Sequence, residues 1–513
     1  MLRFYLAFTI FFFSGYAFAE ELLPPHKPGE VIVKYRSDPT SRISQLKIAN
    51  AVMSSAEMDG YELEEYQQHL NIGRFRIPHY KTVEIAVKEL NAMEGVEYAE
   101  PNYKVYFSER GPVAPEAVSQ DLLKNELRPF PQAYDSSTSK VIVAIIDTGV
   151  DYEHEALAPY IWRNDSEVPG NGIDDDRNGY VDDVNGYNFI ANTGNAMDDN
   201  YHGTHVAGII LNTLTDAETE LPAIESLKNS IQIMPLKFLD NNGEGYVSDA
   251  IKAISYAIGM GARVLNNSWG GEGFSRALAE AIISAYNSNR LFIAAAGNEK
   301  KNNDQYPIFP ASYTHPNIIS VAALDGYNEN SLAWFSNFGI QSVDIGAPGV
   351  SIRSTIPGGG YAKLSGTSMS APYVSAAAAA VWFTNSALNH LQVKNILLSS
   401  AQYIATLSSL ILTPGKIDTV RGVAIAAQTV GDPNVPPLVL PPPPAESIGY
   451  YDGEELFADS SPGCAAAPWL LLPGKGAKPP RPDFLLLIFP IILLIIARFR
   501  PLKQLINVLR RSK

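Results

Sequence analysis

The chain has 513 residues, of which 46% are hydrophobic and 10% aromatic, and its formal net charge at pH 7 is −15. This length allows two or three domains of roughly 100–200 residues, and the apolar content is sufficient for a large core. The acidic balance argues against nucleic acid as a partner, because phosphate binding needs a basic surface. The single cysteine, Cys464, excludes an internal disulfide framework.

The N-terminus has the pattern of a secretory signal. Arg3 precedes an apolar run over residues 4–14, and residues 17–19 form the small-x-small cleavage sequence Ala-Phe-Ala. We therefore predict that residues 1–19 are a signal peptide, removed during export through the Sec pathway. The alternative is a short membrane anchor, although the apolar run is too short to span a bilayer.

The next segment, residues 20–110, is predicted to be a small α+β domain. Its apolar patterns indicate strands and helices at Gly29–Tyr35, Ser41–Met53, Phe75–Ile77, Thr82–Met93 and Val96–Ala99. Thr82 is a plausible N-cap of the second helix. Two helices among three or four short strands favour a split βαβ, ferredoxin-like module.

Residues 118–430 are predicted to form a doubly wound α/β domain with a mostly parallel sheet. Unbroken apolar runs, typical of strands covered on both faces, occur at Val141–Ile146, Ile231–Leu239, Val264–Asn267, Leu291–Ala296 and Ile318–Ala323. Helical patterns such as Val247–Met260 and Ser275–Asn287 lie between them. In such folds the functional site lies at the carboxyl ends of the strands.

Ser368 is the candidate nucleophile. It lies among small residues in Ser365–Pro372, and the apolar run Tyr373–Val381 after it predicts a buried helix. At a helix N-terminus the hydroxyl faces open space, beside a backbone N–H in the positive half of the helix dipole. Acyl transfer needs both features. Taken alone the serine would be an N-cap, so the catalytic interpretation requires a base and an acid elsewhere.

Asp147 and His202 are the candidates for these two roles. Asp147 directly follows a predicted buried strand, and His202 begins a His-Gly-Thr-His turn before a small-residue helix. His202 would take the proton of Ser368, and Asp147 would fix the imidazole tautomer. Taken alone, Asp147 would be a turn residue. Zinc binding by the two histidines is the weaker alternative, because the turn lacks the glutamate and the i,i+4 spacing of a zinc protease.

These three segments together resemble the signature blocks of the subtilisin-like serine peptidases. Asp147–Gly149, His202–His205 and Gly366–Pro372 occur in that family's Asp, His, Ser chain order. The resemblance implies a subtilisin-like fold, serine endopeptidase activity on polypeptides, and an oxyanion-stabilising side chain at Asn298. A non-catalytic member of the fold that only binds peptides is the alternative function.

The resemblance also implies an inhibitor and a substrate cleft. Gly95–Tyr103 is similar to the end of the family's inhibitory propeptides, so residues 20–110 are expected to inhibit the enzyme until a cut within Lys104–Gln120. A substrate is expected to add as a strand between two edges. One edge comprises Asn267, Ser268, Trp269 and Gly270, and the other comprises Gly243 and Gly245.

Three further residues or ranges bear on specificity. The small apolar wall Ala294–Gly297 predicts an apolar residue before the cut bond. Glu244 would favour a basic residue further along the substrate, or would be only a solvated charge. Tyr201 stands where the family usually has a small residue, which makes the shape of that loop uncertain.

The acidic segment Gly172–Asp183 resembles the first half of a calcium-binding loop. Asp174, Asp176 and Asn178 place side-chain oxygens at alternate positions, and a glycine follows the third. Asn185 replaces the usual glutamate at the twelfth position, so Asp182 or Asp183 would close the shell, and Asp183 is the predicted ligand. We expect a structural Ca²⁺, with a solvated acidic loop as the alternative.

Beyond residue 430 the composition changes. Residues 431–462 form a proline-rich linker, and residues 463–513 combine Cys464, the apolar run Phe484–Ala497 and a basic end. As a helix this run would cover about 21 Å, short of a hydrocarbon core of about 30 Å. We predict a sorting signal that attaches the protein to the surface or membrane, with a sorting or processing protease acting near Cys464. A short tail anchor with an incidental cysteine is the alternative.

Overall fold

The computed structural model describes residues 23–36, 42–107, 140–221, 227–326, 328 and 330–432. The predicted signal peptide, the segment from 108 to 120, the linker beyond residue 432 and the C-terminal sorting signal lie outside these residues. Among the described helices, none has the length and apolar character needed to cross a membrane.

The N-terminal domain is an antiparallel sheet covered by two helices. Its elements are β1 (His26–Tyr35), α1 (Arg42–Met58), β2 (Glu62–Gln67), β3 (Ile72–Arg76), α2 (Val83–Asn91) and β4 (Val96–Phe107). The strands lie in the order β4-β1-β3-β2. In β1, Val31 and Val33 pack with both helices, whereas Ile32 packs with helices of the second domain. This βαββαβ arrangement is the predicted ferredoxin-like architecture.

The second domain has thirteen strands and six helices within the described residues. The strands are β5 (Val141–Asp147), β6 (Tyr187–Asn188), β7 (Ile231–Lys237), β8 (Glu244–Tyr246), β9 (Val264–Asn267), β10 (Trp269–Gly270), β11 (Leu291–Ala295), β12 (Ile318–Leu324), β13 (Ile345–Pro348), β14 (Ile352–Ile356), β15 (Gly360–Leu364), β16 (Gln402–Tyr403) and β17 (Gly415–Lys416). The helices are α3 (His202–Glu220), α4 (Val247–Gly259), α5 (Arg276–Asn287), α6 (Thr367–Thr384), α7 (His390–Ser400) and α8 (Thr419–Ala426).

Nine of these strands form one sheet in the order β16-β17-β13-β12-β11-β9-β5-β7-β6. All neighbours in it are parallel except the pair β16 and β17. Successive side chains of β5 point to opposite faces of this sheet. On one face they pack with helices α3 and α6, and on the other face with helices α4 and α5. The layers therefore match the predicted doubly wound α/β fold, which is confirmed.

The central helix α6 is buried on nearly every side along Thr367–Trp382. A helix that is apolar all round has no solvent face, so it lies in the core. Its N-terminus meets the carboxyl ends of the strands, as expected for a doubly wound sheet. This position brings Ser368 to the edge where Asp147 ends β5.

Strand β4 is much longer than the predicted Val96–Ala99. It leaves the N-terminal sheet and continues between β8 and β10 of the second domain, antiparallel to both. The two domains therefore share a six-stranded sheet. This shared strand leads directly into the predicted catalytic cleft.

Candidate active site

A buried carboxylate–imidazole pair lies at the bottom of the cleft. Nδ1 of His202 lies 2.8 Å from Oδ1 of Asp147, and both side chains are 0% exposed. The backbone N–H of Thr148 also donates to this carboxylate oxygen at 2.7 Å. Because Nδ1 faces an acceptor, the neutral ring carries its proton there, and Nε2 is the atom available to take a second proton.

Small and polar residues explain why β5 and α3 come so close. A Cβ on Gly203 would lie 2.0 Å from the backbone oxygen of Gly149, so only glycine fits at this contact. The buried Asp198 accepts hydrogen bonds from the hydroxyl groups of Thr148 and Thr204, at 2.9 and 2.6 Å. Burial raises the pKa of the Asp198 carboxyl above its ordinary value. These threonines thus tie the Asp147 strand end to the His202 helix.

The second histidine of the His-Gly-Thr-His turn faces elsewhere. Nε2 of His205 lies 3.1 Å from the backbone oxygen of Ala362 in β15. Burial lowers the pKa of His205 to about 3, so the ring stays neutral and donates to that carbonyl. His205 therefore joins α3 to the β14–β15 hairpin.

Ser368 is held by a reciprocal pair of hydrogen bonds. Its hydroxyl donates to the backbone oxygen of Ser268 at 2.9 Å, and the Ser268 hydroxyl donates to the backbone oxygen of Ser368 at 3.0 Å. Pro372 has no N–H with which to reach that oxygen from the next turn of α6. Ser268 therefore supplies the donor that the helix lacks.

Asn298 is fixed beside the nucleophile. Its Oδ1 accepts from the backbone N–H of Thr367 at 2.9 Å and from the Thr367 hydroxyl at 3.1 Å. The N–H of Gly297 donates to the same hydroxyl at 3.1 Å. Since Oδ1 is committed to the residue before Ser368, Nδ2 is the atom that Asn298 presents as a donor.

The end of β4 lies in the cleft as an added strand. Its residues pair Lys104 with Tyr246, Val105 with Gly245 and Tyr106 with Glu244 on one side, and Tyr106 with Gly270 and Phe107 with Trp269 on the other. Lys104 also forms an ion pair with Glu244 at 2.6 Å. The predicted substrate residues Trp269, Gly270, Gly243 and Gly245 all adjoin this strand. Asn267 ends β9, outside the paired residues of β8 and β10, and its side chain donates to the backbone oxygen of Leu265.

Phe107 covers the imidazole. Its ring centroid lies 4.5 Å from that of His202 with 18° between the planes, and 6.5 Å from that of Tyr201, edge-on. Its N–H donates to the backbone oxygen of Gly243 at 3.1 Å. The N-terminal domain therefore reaches the predicted base directly.

Two further β4 side chains cap helices of the second domain. Glu100 accepts from the Ser275 hydroxyl at 2.5 Å and from the N–H groups of Arg276 and Ala277 at 2.8 and 3.2 Å, at the start of α5. Asn102 accepts from the N–H of Ser248 at 3.1 Å, at the start of α4. Burial raises the pKa of Glu100 to about 7. Both residues lie within the predicted propeptide end, Gly95–Tyr103, but neither side chain was predicted to cap a helix.

The acidic segment folds around a cluster of three carboxylates, and the members of this cluster differ from the predicted set of metal ligands. One oxygen or more from each of Glu167, Asp176 and Asp183 lies within 4.8 Å of the others. Glu167 was not predicted. Asp174 accepts instead from the N–H groups of Asn178 and Gly179, at 3.1 and 2.9 Å.

The donors around this group are amides and a hydroxyl. Asn164 and Asn178 each direct Nδ2 toward both aspartates, and the Tyr256 hydroxyl donates to Asp183 at 2.5 Å. Burial, followed by the charge of Asp183, raises the pKa of Tyr256 above its ordinary value. Three carboxylates, two of them buried, with hard oxygen donors fit a divalent cation such as Ca²⁺.

Comparison with known proteins shows the family to which this chain belongs. Residues 138–432 match the subtilase family of S8 peptidases, and residues 22–102 match the fervidolysin N-terminal prodomain. The chain belongs to the subtilase family. It is a subtilisin-like serine endopeptidase with an N-terminal prodomain, which confirms the predicted family and enzyme class.

Two relatives of this subtilase and one solved structure illustrate the match. Over 388 residues it is 33% identical to a thermophilic serine proteinase of Bacillus sp. (strain AK1). The aligned region covers 74% of this chain and 83% of the Bacillus proteinase. This chain is also 33% identical over 335 residues to a cell wall-associated protease of Bacillus subtilis (strain 168), covering 63% and 34% of the respective chains.

The solved structure is that of fervidolysin from Fervidobacterium pennivorans, described as a keratinolytic enzyme related to subtilisin. Its TM-score with this chain is 0.56 at 23% identity, over 80% of this chain and 62% of that one. The two chains share a fold that includes the subtilisin-like sheet.

Proposed function

We propose that this subtilase is an exported, self-processing endopeptidase that uses Asp147, His202 and Ser368 as its triad. The hydroxyl oxygen of Ser368 attacks the peptide carbonyl, and Nε2 of His202 takes the hydroxyl proton. His202 then gives this proton to the leaving amine, and water releases the acyl group in a second round. Asp147 holds the tautomer and stabilises the imidazolium. The observation that carries this role is the 2.8 Å bond within a fully buried pair.

Asn298 is proposed to stabilise the oxyanion together with the backbone N–H of Ser368. That N–H belongs to the first turn of α6, at the positive end of the helix dipole. The orientation of the Asn298 amide, set by its two bonds from Thr367, supports the assignment. Donors that are already fixed need no reorganisation as charge develops on the substrate oxygen.

The N-terminal domain is proposed to be an intramolecular inhibitor of the same site. Its support is β4, which fills the space between β8 and β10 and covers His202 with Phe107. Because β4 pairs as far as Phe107, we place the maturation cut C-terminal to that residue, within the remainder of the predicted Lys104–Gln120 window. The domain boundaries 20–110 and 118–430 belong to this proposal.

A structural Ca²⁺ is proposed at Glu167, Asp176 and Asp183. A bound cation would offset the repulsion among three carboxylates and fix the loop between the acid and the base. The serine mechanism assigns no catalytic step to it. Export by residues 1–19, and surface attachment with processing near Cys464, remain proposals that rest on sequence alone.

A serine-directed fluorophosphonate probe tests the triad. The Ser368 oxygen displaces fluoride from phosphorus, so the mature enzyme should gain the mass of one probe less hydrogen fluoride at Ser368, and Ser368→Ala should gain none. His202→Ala should label at least about a thousandfold more slowly, because the hydroxyl loses its base. Labelling that is unchanged in either variant would contradict the assignment and would favour a non-catalytic, peptide-binding member of the fold.

A further inference from the structure

The place occupied by Phe107 corresponds to a defined position of a substrate. Phe107 pairs antiparallel with Trp269, so a chain continuing beyond it runs toward Ser268. The backbone oxygen of Ser268 lies 2.9 Å from the hydroxyl oxygen of Ser368. A substrate in this register presents the carbonyl of its next residue to Ser368. The Phe107 place is therefore that of the second residue before the cut bond.

The pocket that holds the Phe107 side chain has the shape of a flat ring. The imidazole of His202 forms one wall, parallel to the Phe107 ring to within 18° at 4.5 Å. The Tyr201 ring forms a second wall, edge-on at 6.5 Å and 66°. Stacked and edge-to-face arrangements at such distances are those that aromatic pairs prefer.

Gly243 leaves space for the Phe107 ring because it has no side chain. A Cβ on this residue would lie 1.7 Å from Cε1 of Phe107, so any side chain there would displace the ring. Gly243 has a φ of +75°, which glycine adopts without strain. Its backbone oxygen accepts from the N–H of Phe107 at 3.1 Å, so the same residue aligns the strand and admits the ring.

We infer that the mature enzyme selects an aromatic residue at the second position before the cut bond, through Tyr201 and Gly243. This inference rests on the proposed peptidase function and names a substrate class for it. Tyr201 stands in the loop position where the sequence departs from the family's small residue. That departure supplies the second wall of the pocket and so accounts for the selection.

Three quenched fluorogenic peptides test the inference on the self-processed enzyme. The first is Lys-Val-Tyr-Phe-Ala-Glu-Arg, the sequence of residues 104–110 with Ala in place of Ser, because the wall Ala294–Gly297 predicts an apolar residue before the cut bond. The others replace its Phe with Leu or Ala. We expect kcat/KM for the Phe peptide to exceed that for the Ala peptide about 10- to 100-fold, from the buried ring. We expect it to exceed that for the Leu peptide about 2- to 10-fold, from the aromatic contacts. Mass spectrometry should find the cut after the fifth residue of each peptide, the Ala.

Two variants, Tyr201→Ala and Tyr201→Phe, distinguish a loss of selectivity for aromatic residues from a general loss of activity. Tyr201→Ala should lower the Phe-to-Leu ratio of kcat/KM, because only the His202 wall remains, whereas Tyr201→Phe should keep the ratio, because the ring remains. Equal rates on all three peptides, a cut after Phe, or a ratio unchanged in Tyr201→Ala would each overturn the inference while leaving the peptidase function intact. Failure to cleave any of the three would instead refute the peptidase function, and the inference with it.

Discussion

Removing the Glu100 carboxylate should loosen the prodomain from the catalytic domain. Glu100 accepts three hydrogen bonds from the first turn of α5, at 2.5, 2.8 and 3.2 Å, and is 9% exposed. At about 1 kcal/mol net for each bond, with part offset by relief of carboxylate desolvation, Glu100→Ala should cost about 2–3 kcal/mol of docking free energy. That is roughly a 30- to 150-fold larger undocked population.

Hydrogen exchange in the uncleaved Ser368→Ala chain measures this population. The N–H of Phe107, bonded to Gly243, should exchange roughly 30- to 150-fold faster when Glu100→Ala is added. Glu97→Ala is the matched control, since Glu97 lies on the same strand but makes an ion pair with Arg276 that is partly exposed on both sides. Such a pair contributes about 0–1 kcal/mol. Equal exchange rates in the two variants would refute the capping argument.

Three other predictions concern the Glu100 carboxyl, Asn298 and the proposed Ca²⁺ site. Burial raises the pKa of Glu100 from 4.5 to about 7 when the prodomain is docked, so docking takes up a proton between these pH values. Docking should therefore weaken as pH rises from 4.5 to about 7 and change little above that. After correction for intrinsic exchange, Glu100→Gln should abolish this trend, and a persisting trend would assign it to another group. Asn298→Ala should lower kcat about 10²–10³-fold with little change in KM, and a change confined to KM would argue against oxyanion stabilisation. Chelation of Ca²⁺ should lower the thermal midpoint by roughly 5–10 °C in wild type and in Asp174→Asn but not in Asp183→Asn, whereas loss of the shift in Asp174→Asn as well would restore the ligand set predicted from sequence, which contains both residues.

The sequence predicted what depends on local pattern. Continuous apolar runs such as Val141–Ile146 identified the buried strands, because a parallel strand covered on both faces has no polar side. The helix predicted at Ser275–Asn287 begins one residue later, at Arg276, with Ser275 as its N-cap. The short motifs around Asp147, His202 and Ser368 lie at strand and helix ends that the fold brings to one edge.

What the sequence did not predict depends on contacts between distant segments. Strand β2 was missed because Glu62–Gln67 is mostly polar, as an edge strand with no fully buried residue can be. The extension of β4 to Phe107 was missed because its partners belong to the other domain. Glu167 lies before the acidic segment and joins it only in three dimensions. Asp198 was missed because nothing near it in sequence shows which threonines it would bond.

The central claim is that one cleft, built from Asp147, His202 and Ser368, cuts the chain that carries it. Expression of wild type beside Ser368→Ala, followed by intact mass and N-terminal sequencing, tests it most directly. Wild type should lose its prodomain through a cut C-terminal to Phe107, and Ser368→Ala should keep the prodomain attached. The same N-terminus in both proteins would show that another protease makes the cut and would contradict self-processing.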